Sequence, residues 1–187
     1  MNYETARKAM IDSQLRTSGV NEPFVLSRMG AVAREAFLPE GKRAIAYMDR
    51  SIALENGVLA SPVAHGKMLT EARPRPSDRA LVIENGTGYF AELLRPVVAE
   101  IDTARADELP SGKSYDLVVV DGAIEDAPGK LAKLVAQEGR IVTGLVRNGI
   151  TRLAIGKRSG DGLAFDSIAD IALPVLAAFA RRKEWSF

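Results

Sequence analysis

Four apolar residues in succession, Ala80-Leu81-Val82-Ile83, run straight into Glu84-Asn85-Gly86-Thr87-Gly88-Tyr89, and no other stretch constrains the fold as tightly. An apolar run without alternation belongs to a strand buried on both faces, as in a parallel sheet. The glycines permit a tight turn, and the spacing of Tyr89-Phe90-Ala91-Glu92-Leu93-Leu94 suits a short helix. Strand, glycine turn and helix form the opening unit of a nucleotide- or cofactor-binding α/β domain. Backbone N–H groups in such a turn can approach a ligand closely, and the helix start favours its anionic end. Taken alone, the Gly-Thr-Gly triplet also fits an ordinary strand-to-helix turn.

The remaining strands are read the same way. Val97–Asp102 reads as a second strand and Tyr115–Gly122 as another buried one, with Arg140–Val146 following. Between Thr103 and Ser114 there is room for one short crossover only, since neighbouring parallel strands need about a dozen residues to connect. A full excursion of helix, third strand and second crossover does not fit there, so the sheet edge is expected to be trimmed. Leu131, Leu134 and Val135 mark a helix that Gly139 can close. Residues 151–158 and 163–171 flank Ser159-Gly160-Asp161-Gly162, a turn signal for an antiparallel hairpin at the far edge.

Ahead of the α/β part lies a helical preface. Ala6, Met10, Ile11 and Leu15 share a helical face, and Ser18-Gly19 stops it. Asn21 can cap a second helix with Pro23 in its first turn. Glu55-Asn56-Gly57 is a turn, and Ser61-Pro62 reads as an N-cap followed by proline at the first position of a helix reaching about Ala72. His65 falls on that helix and is expected to be partly exposed, since no acid or nucleophile stands at a local spacing to use it. Arg181-Arg182-Lys183 reads as a solvated basic run. The fold class is therefore α/β: a doubly wound, mostly parallel, Rossmann-like sheet with a helical N-terminal extension, an antiparallel C-terminal hairpin and a trimmed edge. At 187 residues one domain over 1–187 is expected, split into 1–76 as extension and 77–187 as core.

Composition narrows the function classes. A formal net charge of +1 argues against a general nucleic-acid binder. The chain has no cysteine and a single histidine, which rules out disulfides, thiolate chemistry and a multi-histidine metal site. No apolar run of membrane-spanning length occurs, nor a signal-peptide centre, so a cytoplasmic protein without a membrane partner is expected.

The ordered run Arg7, Met10, Gln14-Leu15-Arg16, Gly19-Val20, Val25-Leu26, Met29, Val32, Arg34-Glu35, Phe37 and Pro39 resembles the N-terminal pattern of the protein-L-isoaspartate O-methyltransferases. So does Ala46-Tyr47 with Asp49. Gly86-Thr87-Gly88-Tyr89 is similar to that family's S-adenosylmethionine loop, Tyr115-Asp116 leading to Asp121-Gly122-Ala123 and Pro128 to its fourth strand, and Gly139-Arg140-Ile141-Val142 to its fifth. The resemblance implies methyl transfer from S-adenosylmethionine to the carboxylate of an isoaspartyl residue, the first step in repairing aged proteins or peptides. It also implies cofactor contacts from Gly86, Thr87 and Gly88, and a ribose-binding acid at the end of the second strand. Asp102 fits that role, with Glu100 as the alternative, and Asp121 is a further candidate contact.

Three departures from the family pattern stand out. Glu84 occupies the place of the first loop glycine, which predicts a non-glycine residue in a tight, left-handed turn. The adenine-side segment is largely missing, with Asp107 a candidate remnant of its acid. The substrate loop, Gly57-Val58-Leu59-Ala60-Ser61-Pro62, is one residue short, leaving Ser61 as its only hydroxyl and the candidate catalytic one. These departures leave a second reading open: a degenerate member that keeps the fold to bind a peptide or partner, with little or no cofactor binding. The trimmed edge makes a homodimer possible in either case.

Overall fold

The computed structural model describes residues 2–181; Arg182 and Lys183 of the basic run lie outside them. The chain opens with helix α1 (Tyr3–Met10), whose N-cap Asn2 accepts the Thr5 N–H at 3.1 Å. The helical path continues through a π-turn at Ile11–Leu15 and a 3₁₀ turn at Arg16–Ser18, and left-handed Gly19 ends it. Helix α2 (Pro23–Ala31) starts from Glu22 rather than Asn21, because Pro23 takes the first helical position itself. A short hairpin, β1 (Ile52–Leu54) and β2 (Gly57–Leu59), precedes helix α3 (Pro62–Ala72). Ser61 caps α3 through its Oγ, which accepts the Ala64 N–H at 3.2 Å.

The core sheet has six strands. They are β3 (Arg79–Glu84), β4 (Glu100–Arg105), β5 (Tyr115–Ile124), β6 (Val135–Arg147), β7 (Ile150–Ser159) and β8 (Gly162–Asp170), in the spatial order β4-β3-β5-β6-β7-β8. The first four run parallel, and β7 and β8 complete the sheet as an antiparallel hairpin. Helix α4 (Tyr89–Leu94) connects β3 to β4, and α5 (Gly129–Leu134) connects β5 to β6. The connection from β4 to β5 carries no helix and no strand. The edge is therefore trimmed as the length of that segment demands, and β4 is the outermost strand.

Two boundaries differ from those read in the sequence. Val97 and Val98 precede the second strand instead of forming it: Arg95–Val97 is a 3₁₀ turn, and pairing begins at Arg79 opposite Glu100. The carbonyl of Asp78 sets this start by accepting the Ala99 N–H at 2.9 Å. Val135 likewise opens β6 and does not close α5, and Gly139 lies inside β6 where a Cβ would stand 2.7 Å from the Tyr115 carbonyl oxygen.

Period-two alternation sorts the strand residues between two cores. Val82, Val119 and Val142 face the larger one, which they share with Met10, Leu15 and Met29 of the N-terminal helices and with Leu69 and Phe90. Leu81, Ile83, Val118 and Val120 face the smaller one, under Leu131 and Leu134 of α5. Leu81, Val82 and Ile83 are wholly buried, and burial of each such side chain is worth about 1.5–3 kcal/mol. After β8 the chain returns to the carboxyl end of β5, where Val175 bridges Ala123 and the Ala123 N–H donates to Pro174 at 2.8 Å. No helix among the described residues is long and apolar enough to cross a membrane.

Candidate functional site

Strand order reverses between β3 and β5: the chain goes from β3 outward to β4, then back past β3 to β5. In open α/β sheets, ligands bind at the carboxyl ends of the strands beside such a reversal. The loop Asn85–Gly88 stands at this point. Gly86 and Gly88 have φ of +82° and +72°, a left-handed conformation open to glycine at little cost, and Gly88 begins α4. Thr87 Oγ1 accepts the Tyr89 N–H at 3.3 Å. Glu84 does not take the tight-turn conformation: it is the last residue of β3, extended and paired with Arg105. The left-handed positions fall on the glycines after it, so the expected strain at Glu84 does not arise.

The hairpin β1–β2 presses on this loop. The Val58 N–H donates to the Asn85 carbonyl at 3.0 Å. A Cβ on Gly86 would stand 2.2 Å from the Asn56 oxygen, and one on Gly57 would stand 2.0 Å from the Asn85 oxygen. Backbone thus meets backbone between the β1–β2 turn and the glycine loop, and neither position tolerates a side chain.

A cavity of about 820 Å³ opens beside the loop, lined by Glu84, Gly86, Asp102, Asp107, Tyr115 and Leu176 among others. Asp102 is mid-strand in β4; it accepts the Tyr115 hydroxyl at 2.8 Å and the Lys113 ammonium at 3.0 Å. The bond from Lys113, then that from Tyr115, holds its carboxyl below the usual range. Burial, reinforced by Asp102, pushes the Tyr115 phenol up to about 12. Asp107 lies just past β4 in a two-bond ion pair with Arg105, at 3.0 Å in each bond. Glu100, by contrast, opens β4 opposite Arg79, at the other end of the strand from the glycine loop. Ser61 is not among the cavity-lining residues, and its hydroxyl is engaged as the cap of α3.

Below the loop lies a buried polar chain that sequence reasoning missed. Against the expectation of partial exposure, His65 is wholly buried, and its Nε2 is 2.8 Å from Asp121 Oδ1. Its Nδ1 is 3.0 Å from Arg34 Nη1. A guanidinium nitrogen can only donate, so Nδ1 accepts and the proton sits on Nε2, which donates to Asp121. Burial, and then the Arg34 charge, push the imidazole below its ordinary pKa while Asp121 pulls the other way. Neutral His65 therefore bridges a buried cation and a buried anion. Arg34 is fixed further by donating to the carbonyls of Ala46 (2.8 Å) and Ala60, and it lies 5.0 Å from the Tyr89 ring centroid.

Asp121 owes its direction to the alternation of β5: Val119 faces the larger core and Val120 the smaller, so Asp121 returns to the larger side. The β5–β6 register slips between Val119 and Ala123, and β5 pairs with β3 only as far as Val120 opposite Ile83. The slip places the extra residues at this end of β5, and the carboxylate meets α3 through His65. The structure thus brings Gly86 and Asp102 to one cavity, sets Gly88 beside it, and places Asp121 beneath the loop. The signals for the buried chain were Arg34 in the ordered N-terminal pattern and Asp121 in the fourth-strand pattern; nothing local marked the link of either to His65.

A parallel sheet with a glycine loop after its first strand, an acid on the next strand and an antiparallel terminal hairpin defines the Rossmann-like methyltransferase class. Within it, residues 5–106 match the family model for protein-L-isoaspartate(D-aspartate) O-methyltransferase. A protein-L-isoaspartate O-methyltransferase 2 of Pelobacter propionicus is 35% identical over 170 residues, covering 75% of this chain and 76% of its own length. A protein-L-isoaspartate O-methyltransferase of Roseiflexus sp. (strain RS-1) is 26% identical over 210 residues, covering 96% of each. Among solved structures, one described as a protein-L-isoaspartate O-methyltransferase of Plasmodium falciparum, in complex with S-adenosyl-L-homocysteine, superposes with a TM-score of 0.71. That match spans 95% of this chain and 99% of the other at 15% identity, and it bears on the fold. The chain belongs to the protein-L-isoaspartate(D-aspartate) O-methyltransferase family.

Proposed function

We propose that this protein transfers a methyl group from S-adenosylmethionine to the carboxylate of an isoaspartyl residue in a protein or peptide. The observation that carries the reading is the cavity at the carboxyl ends of β3 and β4, bounded by the glycine loop and edged by acids, in a chain of this family. Its volume, about 820 Å³, lies within the roughly 300–1,000 Å³ typical of small-molecule sites. The donor set suits the cofactor. Gly86, Thr87 and Gly88 offer close backbone approach to its methionine end. Asp102 offers oxygens to the ribose hydroxyls, a better fit than Glu100 at the far end of its strand. Leu109, from the shortened β4–β5 connection, and Leu176, from the segment after β8, give an apolar wall for a flat base.

When bound, the cofactor supplies a sulfonium methyl activated towards displacement by the acceptor carboxylate. An isoaspartyl carboxyl is already ionised at neutral pH, so no general base is needed. Neutral, buried His65 is consistent with that chemistry. What this chain contributes is position and exclusion of water: β1–β2 clamps the glycine loop, and the Arg34–His65–Asp121 chain stiffens the ground beneath it. Ser61 is assigned to capping α3, with its contribution to the acceptor site tested by Ser61→Ala. Residues 1–76 and 77–187 act together as one domain, with the first part presenting the substrate.

The partner-binding reading is the weaker one, because the acids and the glycine loop are kept in place around a cavity of cofactor size. Transfer of radiolabelled methyl groups to an isoaspartyl peptide, with the matched aspartyl peptide as control, tests the proposal. Equal or absent labelling of the two peptides would reject it. A cytoplasmic location goes with this reading and is checked by cell fractionation.

We also infer a homodimer through β4. Antiparallel pairing of Glu100–Arg105 with its copy would satisfy the outer backbone groups of the edge strand and set Glu100 opposite Arg105, which also holds Asp107. Sedimentation should give twice the chain mass, and Thr103→Pro should return it to monomer.

A further inference from the structure

The Glu84 carboxylate is the one feature of the loop that the reading above leaves without a role. It is half-buried, lines the cavity, and makes no hydrogen bond or ion pair among the described residues. Its two oxygens stand 3.8 Å from where a Cβ on Gly88 would be, so the side chain lies over the glycine loop. Glu84 follows Ile83 in β3 as Asp121 follows Val120 in β5, and Ile83 and Val120 are register partners. The two acids therefore stand side by side at the strand reversal, on the face of α3 and α4. Burial and then the Asp121 charge push the Glu84 carboxyl above its usual range, while Arg95 acts against them. Arg95 is itself engaged with Glu92 at 3.0 Å. On the same face His65 is neutral and bonded to Asp121, the Tyr89 phenol is buried beside it, and the Arg34 guanidinium lies behind His65.

An unpaired carboxylate beside a second acid is stabilised by a cation in the cavity. We propose that Glu84 is a specificity-determining residue that makes the site favour the cationic sulfonium cofactor over its neutral thioether product. The inference rests on the methyl-transfer reading above. Both ligands carry the same ammonium, carboxylate, ribose and base, so any contribution of Glu84 to their ratio reports on the sulfonium charge. The arrangement would release product readily and reduce product inhibition. Coulomb attraction between a carboxylate and a sulfonium sharing one partly solvated cavity would supply such a preference.

Calorimetry with S-adenosylmethionine and S-adenosylhomocysteine on the wild type, Glu84→Gln and Glu84→Asp tests it. Glu84→Gln should cut the ratio of affinities, sulfonium over thioether, about tenfold, with thioether binding unchanged or tighter. Glu84→Asp should keep most of the ratio. Circular dichroism checks that each variant folds. If Glu84→Gln does not, the wild-type ratio against pH takes its place: it should shrink as pH falls, with the raised Glu84 carboxyl protonating ahead of Asp102 and Asp107, which Lys113 and Arg105 hold low. Binding of both ligands with a ratio indifferent to Glu84→Gln, or to pH in the wild type, overturns the inference and leaves the methyl-transfer reading standing. Failure of the wild type to bind either ligand overturns both.

Discussion

His65 Nε2 meets Asp121 Oδ1 at 2.8 Å across the interface of α3 and β5, with both side chains buried and Arg34 closing the chain on the far side. Each member satisfies the next: the guanidinium fixes the tautomer, and the imidazole N–H neutralises part of the burial cost of the carboxylate. A buried polar chain of this kind loses most when one member is removed, because its partners stay buried without compensation.

Asp121→Ala should therefore destabilise the fold by about 3 kcal/mol, strand the His65 N–H, and leave Arg34 without its anion. In a chain of this size that corresponds to a fall in Tm on the order of 10 °C. Differential scanning calorimetry of the variant measures it, and a change under about 1 kcal/mol would show that the network carries no such weight.

The same chain makes stability depend on pH. The folded pKa of His65 lies below its unfolded value, so between the two the unfolded state binds more protons. Its contribution is fully present above about pH 6.5. It is lost progressively as pH falls from there through the folded pKa. The slope reaches up to about 1.4 kcal/mol per pH unit. Urea unfolding between pH 7.5 and 5.5 should follow this slope in the wild type. His65→Gln, which cannot titrate, should flatten it.

Gly86→Ala addresses the contact between the two halves of the chain. A left-handed φ costs a non-glycine residue about 1–2 kcal/mol, and the new methyl would overlap the Asn56 carbonyl at 2.2 Å. Cofactor affinity and methyl transfer should fall at least tenfold while the sheet stays folded. Hydrogen exchange should show loss of protection at the Val58 amide, which now bonds Asn85.

Asp102→Asn should weaken cofactor binding roughly tenfold, about 1.4 kcal/mol, with little change in Tm. The ion pair with Lys113 is exposed on both sides, and such pairs contribute about 0–1 kcal/mol to stability. Glu100→Gln, at the other end of the strand, should leave binding unchanged in the same titration.

What the sequence determined by itself is the part of this protein that depends on local pattern. The apolar run at Ala80–Ile83, the glycines after it, the Ser61-Pro62 helix start and the Ser159–Gly162 turn each act through periodicity or backbone freedom over a few residues. The trimmed edge was legible too, since nine residues between β4 and β5 leave no room for another strand. The second strand was misplaced because apolar character at Val97 and Val98 marks burial, whereas pairing with Arg79–Glu84 sets where the strand begins. Glu84 was assigned a turn because its neighbours are turn residues, yet ladder pairing with Arg105 holds it extended. His65 shows the limit most clearly: its partners lie 31 and 56 residues away in sequence. A histidine without a local partner looks the same in sequence whether it faces water or a buried acid. Only packing α3 against the carboxyl end of β5 decided between them, as it decided that Asn56 and Gly57 would press on Asn85 and Gly86. Such contacts follow from shape complementarity between distant segments, which short-range spacing does not encode.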